Sequence, residues 1–90
     1  MKVILFYDVS SSNNNLNKVR KLCTKYLLHI QFSVFEGELE KYELIKLEKE
    51  IKKIIDESQD SVIIFSFVNY GEDNKKIIGI NKNCFDGFNI

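Results

Sequence analysis

An α+β domain is what this sequence predicts, on three observations. Residues 2–9 and 61–68 are apolar runs of strand length, rich in Val, Ile and aromatic side chains. Two longer stretches, about 14–28 and 40–57, place their apolar residues at helical spacing. Between them, residues 29–38 alternate in the manner of a half-buried strand. The order strand–helix–strand(s)–helix–strand is the split pattern of ferredoxin-like βαββαβ domains, here with an extra C-terminal strand.

The first run, "KVILFYDV", is continuous rather than alternating, which predicts a central strand covered on both faces. It stops at Asp8, and Ser10 to Asn15 supply loop chemistry and several candidate N-caps. The first helix carries Leu16, Val19, Cys23, Tyr26 and Leu27 on one stripe, with Lys18, Lys21 and Lys25 on another. His29 is expected to end that helix, where a cation suits the dipole. In 29–38, Ile30, Phe32 and Val34 fall on one face and Gln31, Ser33 and Phe35 on the other. The stretch reads as one strand or a tight pair of short ones, closed by Gly37. Leu44, Leu47, Ile51 and Ile54, with Ile55 beside them, mark the buried side of the second helix. Glu48 and Lys52 are spaced for an ion pair on its outer side. After the strand at 61–68, residues 69–76 turn the chain and 76–80 form a further short strand.

Ninety residues suffice for one domain, 1–90, and 44% hydrophobic content excludes a disordered chain. Thirteen basic residues balance thirteen acidic ones, but unevenly along the chain. Residues 1–30 hold Lys2, Lys18, Arg20, Lys21 and Lys25 against Asp8 alone, whereas 31–60 hold nine acids against five bases. The asymmetry fits either a basic face near the first helix or two solvated helix surfaces. Cys23 and Cys84 make neither a disulfide scaffold nor a metal motif, and a single histidine excludes a His-based zinc site within one chain. No run is long enough for a membrane span or shaped like a signal peptide, so a cytoplasmic protein without a membrane partner is expected.

Two helices on one face of an antiparallel sheet leave the other face bare, yet these strands are apolar on both sides. A sheet-to-sheet homodimer is the simplest remedy. Tyr7, Phe35, Phe85 and Phe88 are the aromatic residues assigned to that interface, and the tail, about 75–90, is expected to add to the partner subunit's sheet. Asp8 is the candidate catalytic and metal-binding residue. A carboxylate at a strand end beside small residues suits Mg²⁺ and an approaching phosphate backbone, although aspartate also caps turns in that position. Two Asp8 side chains across a dimer axis would strengthen such a site, and Glu36 or Glu38 could approach it. Lys18, Arg20, Lys21 and Lys25 are the candidate nucleic-acid contacts, by charge along one helix. Tyr7, Phe32 and Phe35 either stack bases or fill the core and the dimer interface.

The strings "FYDVS", "NKVRKLCTKYL", "IQFSVFEGEL" and "DSVIIFSF" stand in an order and spacing that resembles the second CRISPR-associated protein family, "Cas two". The likeness covers most of residues 2–68, and Tyr7-Asp8 with Gln31, Ser33, Val34, Phe35, Glu36 and Gly37 are its sharpest pieces. The resemblance implies a ferredoxin-like homodimer of the CRISPR adaptation module. It would bind DNA and the CRISPR integrase, "Cas one", during spacer acquisition. It also implies an Mg²⁺-dependent endonuclease acting on RNA or DNA through the aspartate matching Asp8. The likeness departs at Ser10 to Asn15, where family members often carry arginines, so phosphate contacts would fall to the first helix. The competing readings are a stand-alone ribonuclease toxin of the virulence-associated protein D type and a ferredoxin-like regulatory domain without nucleic acid.

Overall fold

The computed structural model describes residues 1–10, 14–68 and 74–80. Seven elements follow in order: β1 Lys2–Asp8, α1 Asn15–Tyr26, β2 Leu28–Gln31, β3 Val34–Glu38, α2 Lys41–Ile54, β4 Ser61–Phe67 and β5 Asn74–Gly79. The strands form one sheet in the order β2-β3-β1-β4-β5, each antiparallel to its neighbours. The ferredoxin-like βαββαβ arrangement with one added strand is therefore present, and β1 is central between β3 and β4.

Pleating sorts the continuous apolar runs into two faces. Val3, Leu5 and Tyr7 of β1 point with Phe35, Val62, Ile64 and Ile78 toward the helices. Val19, Leu22 and Cys23 of α1 and Leu44, Leu47 and Ile51 of α2 complete that core. On the other face lie Ile4, Phe6, Val34, Ile63, Phe65 and Phe67, all half-buried or exposed. Phe6, 38% exposed, meets Phe65 edge to face at 5.9 Å. The apolar face that two helices cannot reach is thus real, and among the described residues nothing covers it.

Tyr7 and Phe35, assigned to a dimer interface from sequence, correct that assignment. Both are buried on the helix side of the sheet, where their rings lie 6.0 Å apart, and they have no surface to offer a second copy. Strand parity decides this: each stands one residue from an open-face position, Phe6 or Val34. Phe85 and Phe88 lie outside the described residues.

Asn14 starts α1 from a left-handed conformation (φ 68°), with its side-chain oxygen taken by Asn17 rather than by a backbone N–H. The helix ends at Tyr26, earlier than its spacing suggests. Leu27 is already extended, though its N–H still donates to the Cys23 carbonyl at 2.7 Å. His29 consequently does not sit at a helix end. It belongs to edge strand β2, and its ring stacks on Phe35 at 4.6 Å. Residues 29–38 resolve into the tight strand pair, turning at Phe32 and Ser33. Gly37 does not close the strand but lies within β3, where an added Cβ would stand 3.0 Å from the Leu27 side chain. Its smallness lets the α1–β2 corner pack against the sheet.

At the start of α2 the Glu43 carboxylate accepts the Glu40 N–H at 2.8 Å, half of a capping box. Glu48 pairs with Lys76 of β5 at 3.1 Å rather than with Lys52, so this ion pair ties the helix to the sheet edge. The helix stops at Ile54 because "DESQD" folds on itself. The Asp56 carboxylate accepts from Ser58 N–H (3.0 Å) and Ser58 hydroxyl (2.6 Å), which holds its acidity on the strong side of the usual aspartate range. Residues 74–79 run along β4 of their own chain. The expectation that the tail, about 75–90, adds to a partner's sheet therefore rests with residues 81–90, outside the described residues.

Candidate functional site

Asp8 closes β1 as an exposed residue opposite Ser61 of β4, on the same face as Phe6 and Ile4. Its surroundings are fixed by neighbours on both sides. Tyr7, just before it, gives its N–H to the Ser33 carbonyl at 3.1 Å, so the β2–β3 turn packs beside the end of β1. Ser10, just after it, gives its N–H to Asp60 Oδ1 at 3.1 Å. Asp60 is fully buried and its other oxygen accepts the Asp56 N–H at 2.9 Å. Two backbone donors thus satisfy a carboxylate that the core could not otherwise hold.

Sequence reasoning passed over Asp60, since its role appears only when the ends of β1, α2 and β5 meet. Its main-chain oxygen also accepts the Ile80 N–H at 3.0 Å. Gly79 makes that approach feasible: φ is +92°, and a Cβ there would come within 2.1 Å of the Asp60 carbonyl oxygen. The one sequence signal was an Asp-Ser pair at a strand entry, a pattern too common to single out.

Lys18, Arg20, Lys21 and Lys25 are all exposed on α1. Lys18, Lys21 and Lys25 form a row, while Arg20 stands apart and shares with Lys18 and Lys21 a shallow depression also lined by Asn14 and Asn17. Arg20 connects this surface to the strand end: its Nε donates to the Tyr7 hydroxyl at 3.1 Å. The structure therefore brings the basic helix and the Asp8 end of β1 together through Tyr7.

Glu36 and Glu38 are not brought to Asp8. They oppose Ile4 and Lys2 at the far end of β1, where Glu36 pairs with Lys2 at 2.8 Å and Glu38 with the N-terminal amine at 3.6 Å. At roughly 3.3 Å per residue, the four steps from Ile4 to Asp8 already put Glu36 on the order of 13 Å away. Among the described residues no three His, Cys, Asp or Glu side chains gather as a metal group. Among the described residues this strand end thus offers Mg²⁺ one exposed carboxylate, Asp8. That fits an ion that keeps most of its waters and binds through one or two carboxylates plus substrate phosphate, and it does not fit an all-protein cage.

Among the described residues no helix is long and apolar enough to cross a membrane. Comparison with known proteins agrees with the fold and goes further. The chain is similar to a CRISPR-associated endoribonuclease Cas2 of Methanocaldococcus jannaschii, 42% identical over 86 residues, covering 96% of this chain and 74% of that protein. It is 40% identical over 80 residues to a protein of the same description from Thermodesulfovibrio yellowstonii, covering 89% of each. Among solved structures, Streptococcus pyogenes Cas2 superimposes with a TM-score of 0.69 at 31% identity, over 78% of this chain and 89% of that one. Another Cas2 crystal structure gives 0.66 at 39% identity, over 90% and 98%. The sequence pattern of the family described as CRISPR associated protein Cas2 matches residues 1–84, and the chain belongs to that family.

Proposed function

We propose that this protein is a dimeric CRISPR adaptation subunit that binds nucleic acid along α1 and carries an Mg²⁺-dependent phosphodiesterase site at Asp8. The observation that carries the reading is the hydrogen bond from Arg20 to Tyr7, which sets the basic helix beside the strand end that presents Asp8. Membership of the Cas2 family and similarity to proteins described as endoribonucleases support it.

In this reading Lys18, Arg20, Lys21 and Lys25 neutralise phosphates, and the open sheet face packs against a second copy. The Asp8 carboxylates of the two subunits would hold the metal. Bound Mg²⁺ would polarise a phosphoryl oxygen and acidify a coordinated water. The chain's own residues orient the phosphodiester: Ser10 is fastened by Asp60, and Arg20 is aimed by Tyr7. DNA and the CRISPR integrase are the proposed partners in spacer acquisition, with RNA a second nuclease substrate.

Purified protein should cleave an RNA or DNA oligonucleotide with Mg²⁺ and lose that activity with EDTA or as Asp8→Asn. Cleavage persisting undiminished in Asp8→Asn would remove Asp8 from the reaction. Absence of DNA binding at low salt, both alone and with the integrase, would end the adaptor reading. Binding should weaken steeply as salt rises, because its main contribution is counterion release.

A further inference from the structure

Phe32 stands at the tip of the β2–β3 turn with φ +42°, in the left-handed region, and its side chain is 79% exposed. Two-residue turns of this kind favour Gly or Asn, and burial favours Phe elsewhere. Neither backbone preference nor burial within the chain accounts for a phenylalanine here. An outlier of this sort is grounds for seeking a function.

The tip is also held firmly. The Phe32 carbonyl accepts from His29 Nε2 at 2.6 Å and from the Tyr7 hydroxyl at 3.4 Å. His29 is braced flat against Phe35, which is fully buried, so the turn is anchored to the core. The same Tyr7 hydroxyl accepts from Arg20 Nε. Among the described residues the other two guanidinium nitrogens of Arg20 make no hydrogen bond or ion pair, and Asn17 and Lys21 line the depression beside it. The backbone that carries this exposed ring is thereby tied to a cationic surface through Tyr7, the residue preceding Asp8.

We propose that Phe32 is a stacking platform for an unpaired nucleobase whose flanking phosphates lie on Arg20 and Lys21. It rests on the nucleic-acid reading above and adds to it the residue that meets a base. An aromatic face accepts any base, so the contact supplies affinity for unpaired nucleotides without sequence preference. Adjacent cations and the amides of Asn14 and Asn17 suit a phosphodiester better than an apolar protein segment.

The test uses a single-stranded oligonucleotide carrying one 2-aminopurine, whose fluorescence responds to stacking. The native protein should quench it on binding. Phe32→Gly, which relieves the positive φ, should melt no lower than the native protein, yet lose the quench and bind about 5- to 100-fold more weakly. Phe32→Tyr should retain both. Arg20→Ala should flatten the salt dependence. Equal affinity and equal quenching by Phe32→Gly would overturn the proposal while leaving nucleic-acid binding intact. Dissociation of a dimer by Phe32→Gly, with undiminished affinity per chain, would assign the ring to a contact between copies and overturn it too. No binding by the native protein would overturn the nucleic-acid reading and this proposal together.

Discussion

The buried carboxylate of Asp60 accepts the backbone N–H of Ser10 at 3.1 Å, fifty residues away in sequence and two positions beyond Asp8. A core carboxylate thus fixes the path of the chain as it leaves the candidate site. Its second oxygen holds Asp56, and its carbonyl holds Ile80, so three chain segments converge on one side chain and its backbone.

Asp60→Asn keeps the size of the side chain but exchanges one acceptor for a donor facing a donor. One buried backbone N–H then loses its partner, a cost of about 1–3 kcal/mol. Chemical denaturation should report that loss. Hydrogen exchange should show the Ser10 or Asp56 amide opening more than amides of α2. Uniform loosening across the chain would contradict a local tether.

Gly79→Ala should be among the most damaging single-methyl additions. The left-handed φ alone costs on the order of 1–3 kcal/mol. The new Cβ would also meet the Asp60 carbonyl oxygen, a backbone atom with little freedom to retreat. Gly37→Ala supplies the contrast. Its nearest neighbour is the end of the Leu27 side chain at 3.0 Å, which can rotate away. Thermal melting should therefore fall much further for Gly79→Ala than for Gly37→Ala, and equal losses would show that the Asp60 contact yields.

Much of this was legible in the sequence because period and parity are local properties. Helix stripes such as Leu44, Leu47 and Ile51 need only their own neighbours, and the structure buries them as spaced. Tyr7 and Phe35 failed because a continuous apolar strand does not say which face the helices cover. Parity was readable there, but its sign was not. Asp60 and the Glu48–Lys76 pair depend on contacts between distant segments, which no local pattern encodes. Phe32 showed as part of an alternating strand, and only the turn geometry displays it as exposed.

Cys23 is sealed in the core, and burial pushes its thiol up to about 12 from 9.0. In a Cys84→Ser background it should resist alkylation until the protein unfolds. Below pH 9 the thiol is neutral in both states and its contribution to stability is fully present. Between pH 9 and about 12 the unfolded chain ionises while the folded one does not, so stability falls as pH rises. Cys23→Ala should lose that component of alkaline sensitivity in denaturation curves taken across this range.

The open sheet face and the Asp8 site are linked by β1 itself, since Asp8 and Phe6 project on the same side. If two copies pack through this face, a charge at its centre must be buried against apolar partners or the dimer must separate. Phe65→Lys places such a charge beside Phe6 without touching the helix-side core, because Phe65 points away from Val62 and Ile64. The variant should keep its helical circular dichroism and sediment as a monomer. If a metal is shared between the two Asp8 carboxylates, cleavage should then collapse although Asp8 is intact in each chain. Full cleavage by the monomeric variant would show that the site is complete within a single chain. A stable dimer of Phe65→Lys would instead move the interface away from this face, and the pairing of Asp8 residues with it.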